Sequence, residues 1–441
     1  MILGVLFVSF LVLLLLEVPV SVALALSSSA AILTGTDFTQ RLVVLKLYTA
    51  AESFPLIAIP FFVMAGGIMG RGGMSARLIA LARSLVGNVH GGLAITSVVA
   101  CMLFAAISGS TAATTAAIGS IVLPAIMQSG FSRGSATSLQ ATAGSLGIII
   151  PPSIPMILMG YIGSMSIGDL FLAGVLPGAL IGGALMLVAY LTARVQHHPT
   201  SGHTFSAREF GRNLYRAILP LLAVVFVIGG IMAGFVTATE AGIIAVLYAL
   251  LISFLVYREM RWRDLAGIMI DTAKVTGIVV LCIGAASPFA WLLTVERVPD
   301  LVAEQLLSMT QNPVLIKLMM LAVMLAIGTF LDLTPAMFIL VPIFMPIAVG
   351  MLHMDKIHFG MMVVAALGIG QCTPPVGIAL FVACSVAGAK MDELIRPLVP
   401  YLLAMIAALL VVAFVPPVSL WLPEVLPQLF GWLKALFVGA G

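Results

Sequence analysis

Charge is what this chain has least of. Lys, Arg, Asp and Glu make up 8% of its 441 residues, hydrophobic residues 62%, and the mean hydropathy is +1.22. No soluble fold of this length hides so much apolar surface, and runs of about 20 apolar residues recur along it. A net charge of +3 offers nothing to a nucleic acid. Strands of alternating polarity are missing, which excludes a membrane β-barrel. Only four cysteines occur; Cys101, Cys282, Cys372 and Cys384 lie inside hydrophobic runs, follow no metal-binding spacing and read as small core residues. There is no Ser/His/Asp arrangement, phosphate-binding loop or Cys-x-x-Cys motif, so an enzyme is not expected. No basic residue precedes the first hydrophobic run (residues 1–16), where a cleaved signal peptide needs one, so a retained helix is expected. What remains is an all-α polytopic membrane protein.

Against this apolar background one stretch stands out, from Ala106 to Pro152. It contains Ser108-Gly109-Ser110-Thr111, further small residues to Ser120, and Gly147-Ile148-Ile149-Ile150-Pro151-Pro152. Proline lacks an N–H and its ring clashes with the carbonyl four residues back, so Pro151 and Pro152 should free the carbonyls of Gly147 and Ile148. In lipid such groups are tolerated only where they are buried in protein or line a cavity. The pattern returns 223 residues later as Gly370-Gln371-Cys372-Thr373-Pro374-Pro375. At the same offset Asp169 meets Asp392 and Pro177 meets Pro400; at an offset of 222, Ser110 meets Asp332 and Pro124 meets Pro346. Correspondences held in nearly one register imply an internal duplication.

Residues 1–34 are too long for one upright span and should break at Glu17-Val18-Pro19 into two short helices. Later spans are expected over 54–70, 139–166, 170–192, 217–235, 241–257, 274–294, 357–389 and 397–415. Two longer runs, 92–127 and 313–349, are interrupted near 108–111 and 329–335 and read as re-entrant hairpins. With the N-terminus outside, 14 of the 20 basic residues face the cytoplasm, leaving Arg41, Lys46, Arg297, Lys317, Lys356 and Lys434 outside. That is the direction of the positive-inside rule. The two hairpins then enter from opposite sides, giving two inverted repeats of the kind that build secondary transporters. Residues 72–88 should form an amphipathic helix on the cytoplasmic surface, 299–310 its outer counterpart, and 196–216 the hydrophilic connector.

A hairpin tip brings one helix C-terminus and the next helix N-terminus to membrane depth. Carbonyl ends favour a cation and N–H ends an anion. Ser108 and Ser110 offer hydroxyls beside the carbonyls of Gly147 and Ile148, with Pro151 holding the break. Asp332, Thr334 and the carbonyls of Gly368, Gly370 and neighbours up to Thr373 form the matching set. Oxygen ligands carrying one charge or none suit Na⁺ better than a divalent ion. Asp332 reads either as a cation or proton ligand or as a neutral, hydrogen-bonded structural acid. Ser108 and Ser110 read either as ligands or as small residues that let helices pack. Thr111, Thr114 and Thr115 are weaker candidates. Glu240 is expected to begin a helix, and all six histidines are expected to be solvated.

The 108–119 stretch (Ser-Gly-Ser-Thr-Ala-Ala-Thr-Thr-Ala-Ala-Ile-Gly), Ile150–Pro155, Thr373–Gly377 and Ser419-Leu-Trp-Leu-Pro423 resemble the large membrane subunit of tripartite ATP-independent periplasmic (TRAP) transporters. The resemblance runs over essentially the whole chain. It implies a bacterial or archaeal inner-membrane permease, both termini periplasmic, working with a small four-helix membrane subunit and a periplasmic solute-binding protein. It implies Na⁺-driven import of an organic acid, typically a carboxylate, by an elevator motion. Scaffold helices and a surface arm would occupy 1–90 and 217–311. Hairpins and transport helices would occupy 91–192 and 312–415, joined by a 193–216 linker, with 416–441 as a C-terminal segment. Na⁺ sites would fall on Ser108, Ser110 and the 147–152 backbone, and on Asp332 and the 368–375 backbone; Ser110, Thr111, Ser153 and Thr373 would meet the cargo. Ala238 stands where that family would carry proline. The rivals are a stand-alone Na⁺- or H⁺-coupled dicarboxylate symporter and, from another class, an ion channel or a structural scaffold subunit.

Overall fold

The computed structural model of the chain describes residues 1–35, 38–86, 88–197 and 205–426. Helices α1 (Ile2–Leu15) and α2 (Val20–Gly35) separate at Glu17, where φ is +60°, just ahead of Pro19. Next come α3 (Arg41–Ala51), a 3-10 turn over Phe54–Ile57, α4 (Ala58–Arg71) and α5 (Met74–Val86). The helices α6 (Gly92–Ser108) and α7 (Thr111–Gln128) pack against each other. Then follow α8 (Arg133–Gly144), α9 (Leu146–Ile149), α10 (Ile154–Gly163) and α11 (Ile167–Val195). The second half runs α12 (Ala207–Met232), α13 (Ala238–Leu251), α14 (Trp262–Val295), α15 (Val298–Met309), α16 (Pro313–Phe330), α17 (Leu333–Met345), α18 (Lys356–Gly370), α19 (Ile378–Ala387) and α20 (Met391–Phe414). The order from α5 to α11 recurs from α15 to α20, with α8 and α9 together standing where α18 stands.

Among the described residues nine helices are long and apolar enough to cross a membrane, ten if the pair 133–149 and 154–163, bent by 44°, counts as one span. The arms of the interrupted runs are longer than half-depth hairpins require. At 1.5 Å per residue α6, α7 and α16 are each about 26 Å, so a re-entrant reading of the first run rests on the packing of α6 against α7 and not on shortness, whereas α16 packs mainly on α18 and α17 mainly on α14.

Helix ends depart from the apolar runs wherever a cap or an amphipathic turn extends them. α8 begins at Arg133 because the Ser132 hydroxyl accepts the Ser135 N–H (3.1 Å), and α12 begins at Ala207 because Ser206 does the same for Glu209 (3.4 Å). Much of the hydrophilic connector is therefore helix. α14 reaches back to Trp262, with Asp264 in its first turn, and α3 is a helix that hydropathy alone passes over. Glu240 does begin a helix: it and Thr237 cap α13 reciprocally.

α8 is polar in composition yet buried from Gly134 to Gly144. Its hydroxyls pair internally, Thr137 with the Arg133 carbonyl (2.7 Å) and Thr142 with that of Ser138 (2.9 Å). Ser138 also donates across to the Leu394 carbonyl (3.2 Å), tying α8 to α20. Gln140 accepts from Ser97 (2.6 Å) and donates to the Thr115 carbonyl (3.2 Å), locking α8 to α6 and α7. Small satisfied residues let three helices meet closely around this segment.

The expectation for one histidine fails. His358 is not solvated: it is buried at 1% exposure, its Nδ1 2.6 Å from the Ser419 hydroxyl and its Nε2 3.1 Å from the Ala413 carbonyl. The return of the chain after α20 covers it, an event no local pattern announces. His353 and His197 are exposed, and His90 lies edge-on to Tyr190. His198, His203 and Lys434 lie outside the described residues.

Candidate functional site

α6 ends because Gly109 takes φ +60°, a left-handed turn that glycine adopts without steric cost, while its N–H still reaches the Ala105 carbonyl (3.2 Å). Ser110 is extended and starts α7, its hydroxyl accepting the Ala113 N–H at 3.4 Å. Ser108 and Thr114 share a 2.6 Å hydroxyl–hydroxyl bond. The tip lies directly on the first Pro-Pro break. The Ile154 N–H donates to the Gly109 carbonyl (3.4 Å), and a Cβ on Gly147 would sit 2.5 Å from the Ser110 oxygen and 2.6 Å from Thr114 Oγ1. Ser108, Ser110, Gly147 and Ile148, expected together, are together. Thr111 and Thr115 are buried on α7 with hydroxyls that have no partner.

The free carbonyls are fewer than proline chemistry alone suggests. Pro151 leaves the Gly147 carbonyl without its helical donor, but the Ile148 carbonyl accepts the Ser153 hydroxyl at 2.6 Å. Ser153, expected to face a cargo cavity, is 1% exposed and turned onto that carbonyl. At the second break Gly370 accepts the Thr373 N–H (2.9 Å) and Gln371 the Ala379 N–H (3.2 Å). The Thr373 hydroxyl donates to Ile369 (3.0 Å). Each carbonyl keeps a second lone pair, so these bonds narrow the ligand set without emptying it. Both Pro-Pro peptide bonds are cis.

The second tip has the same plan as the first but differs in how its helices end and begin. α16 stops at an extended Leu331, and Asp332 occupies the N-cap of α17 without bonding back to it through its side chain. Its Oδ1 instead accepts Gln371 Nε2 at 3.0 Å. Asp332 is exposed at the break and Thr334, two residues on, is buried. Gly328 lies against Gly370, where a Cβ would come 2.7 Å from Gly328 backbone atoms. Lys317, the one base within sequence reach, places its ammonium 5.3 Å from the centre of the Phe414 ring. Gln371 is the partner that sequence reasoning missed; the available signal was a lone amide in an apolar run opposite an acid. Its Oε1 is buried without a partner.

The two breaks are neighbours. A Cβ on Gly368 would meet Ile148 Cδ1 at 3.0 Å, α9 packs on α18, and the Cys372 thiol approaches the Ala141 carbonyl at 3.5 Å. A cavity of about 700 Å³ lies elsewhere, lined by Tyr161, Trp291, Phe338 and, as its one charge, Lys46. It touches none of the break residues, so chemistry and not volume identifies the site.

Apolar spans, paired tips and two proline-broken helices around one centre define a polytopic, all-helical membrane protein. The comparisons with known proteins specify it further. Residues 7–418 match the family model described as the tripartite ATP-independent periplasmic transporter, DctM component, and the chain belongs to that family. It is 39% identical over 402 residues, 91% of this chain and 94% of the relative, to the C4-dicarboxylate TRAP transporter large permease protein DctM of Pseudomonas aeruginosa. It is 37% identical over 95% of its length to the isethionate TRAP transporter permease protein DctMQ of Oleidesulfovibrio alaskensis, covering 66% of that longer chain. Among solved structures, the YdaH transporter of Alcanivorax borkumensis shares the fold, with a TM-score of 0.62 at 14% identity over 93% of this chain and 98% of that one.

Proposed function

We propose that this chain is the inner-membrane permease through which a small organic acid, delivered by a periplasmic solute-binding protein, enters the cell together with Na⁺. The observation that carries the reading is the parallel placement of Ser110 and Asp332. They are equivalent positions of the two halves, each heads a helix at a chain break, and each touches a Pro-Pro break. The N–H ends of α7 and α17 suit an anion, and the carbonyl ends of α6 and α16 suit a cation. Na⁺ would be held at one break by Ser108, Ser110 and the 147–148 carbonyls. At the other it would be held by the Asp332 carboxylate, the unpartnered Gln371 Oε1, Thr334 and backbone from Gly368 to Thr373. One carboxylate among neutral oxygens suits a monovalent ion. Ser110, Thr111 and Thr373 are the cargo contacts.

The cargo class follows the relatives: C4-dicarboxylate for one and isethionate for another are both small organic anions. Their shared requirement is anion binding by N–H dipoles, with selectivity left to the binding protein. A small membrane subunit completes the assembly, as the DctMQ name suggests. The two halves are inverted repeats. Residues 91–192 and 312–415 move as a transport domain against 1–90 and 217–311. The packing of α6 on α7, the repeated element order and the distribution of basic residues support this arrangement.

The test is uptake in proteoliposomes containing this chain, the small subunit and the loaded binding protein. An inward Na⁺ gradient drives accumulation, its collapse stops it, and Ser110→Ala lowers the rate at least tenfold. Uptake that ignores the gradient contradicts Na⁺ coupling. Uptake with neither partner added favours the stand-alone symporter.

A further inference from the structure

We infer that Arg71 is an anion-binding residue for the cargo and that Asp271 is its built-in competitor. The inference rests on the transport reading above and adds to it a residue from outside the two breaks. Behind the first tip lies a cavity of about 210 Å³, bounded on one side by Ser108 and Ser110 and on the other by Gly66, Arg71, Asp271 and Thr272. At about 30 Å³ per water it holds roughly seven waters, room for a small organic acid.

Arg71 closes α4, where a cation in the last turn is favoured. Its Nη2 lies 2.8 Å from Asp271 Oδ2 on α14. Both side chains are about half exposed, at 49% and 59%, so the pair is wet and weakly held. An incoming carboxylate presents the same pair of oxygens as Asp271 and a sulfonate can present two of its three, so the planar guanidinium fork can donate to either. A second, independent feature lies at the same cavity wall: Thr272 is 8% exposed and its buried hydroxyl has no partner. Close approach is possible because three glycines stand at the contacts. A Cβ on Gly66 would lie 3.1 Å from Ser108 Cα, one on Gly67 2.9 Å from Ile268, and one on Gly267 2.9 Å from Arg71 Nη1.

An ordinary surface ion pair and a competed ligand make opposite predictions. If the pair only joins α4 to α14, removing either partner harms the protein in the same direction. If Asp271 competes with the cargo for Arg71, removing Arg71 weakens cargo binding and neutralising Asp271 strengthens it.

The experiment is equilibrium binding of radiolabelled succinate and isethionate to the purified permease with its small subunit, in Na⁺, for wild type, Arg71→Gln, Asp271→Asn and the double variant. We expect Arg71→Gln to weaken binding at least tenfold, Asp271→Asn to tighten it about threefold, and the double variant to follow Arg71→Gln. Arg71→Lys, which keeps charge but loses the fork, falls between. Wild type that binds neither probe overturns the cargo class itself, and this inference with it. Wild type that binds while Arg71→Gln and Asp271→Asn shift affinity in the same direction, or not at all, overturns the role of Arg71 alone.

Discussion

Asp332→Asn should reduce Na⁺-driven uptake by about 100-fold, the largest single loss expected in this protein. The substitution keeps the shape of the side chain and an oxygen that can still accept the Gln371 amide at its present 3.0 Å. It removes the negative charge and turns the second acceptor oxygen into an NH2 donor. A 100-fold effect corresponds to about 2.7 kcal/mol, within the few kcal/mol that one charge contributes to a close ion contact at the effective dielectric near a protein surface. If Asp332 were a neutral, hydrogen-bonded acid serving structure, asparagine would replace it almost without cost. The two readings therefore separate on one variant. Asp332→Glu should recover part of the activity by restoring the charge at a displaced position. Initial uptake rates at several Na⁺ concentrations check this: Asp332→Asn should lose its Na⁺ dependence as well as its rate, whereas a purely structural residue would leave the Na⁺ dependence intact.

Gly147→Ala and Gly370→Ala should each lower uptake at least 50-fold, for a reason that involves no charge. An alanine Cβ at 147 would stand 2.5 Å from the Ser110 carbonyl oxygen; one at 370 would stand 2.7 Å from Gly328 Cα and C. The obstructing atoms are main chain, so no rotamer change relieves the overlap, and each tip must back away from its Pro-Pro break. Overpacking of this kind costs about 1–3 kcal/mol of stability, comparable with the roughly 2.3 kcal/mol that a 50-fold loss of rate represents; the functional loss arises because ligands on both sides of the contact separate. Gly183→Ala on α11 is the control. Nothing lies within 4 Å of its Cβ position, and removing a mid-helix glycine should leave uptake unchanged while stabilising the protein by about 0.5–1 kcal/mol. Uptake and thermal unfolding, measured together on the three variants, distinguish lost geometry from lost folding.

The frame of the site is legible in the residues themselves. Glycine and proline act through the local backbone, so Gly109, Pro151 and Pro374 announce their breaks wherever the surrounding helices pack. The 223-residue offset of the Pro-Pro motifs, with its one-residue slip, then carries Ser110 onto Asp332. Pairings between distant segments are not legible in this way. Gln371 meets Asp332 across 39 residues, and His358 meets Ser419 across 61; no periodicity encodes either. Ser153 shows the same limit at short range. Proline chemistry frees the Ile148 carbonyl, and only the fold reveals that a nearby hydroxyl takes it. Helix ends escape for another reason: α8, α12 and α14 continue past their apolar runs through capped or amphipathic turns, which hydropathy does not register.

The proposed mechanism stands on two tips that approach a common centre from opposite faces of the membrane. Single cysteines at Gln128, the end of α7, and at Gln311, just before α16, mark the roots of the two hairpins; both glutamines are exposed. In sealed right-side-out vesicles, with the native cysteines replaced, a membrane-impermeant maleimide should label Gln311→Cys at once and Gln128→Cys only after the membrane is permeabilised. Labelling of both from the same face would contradict the inverted arrangement, and with it the site built on Ser110 and Asp332.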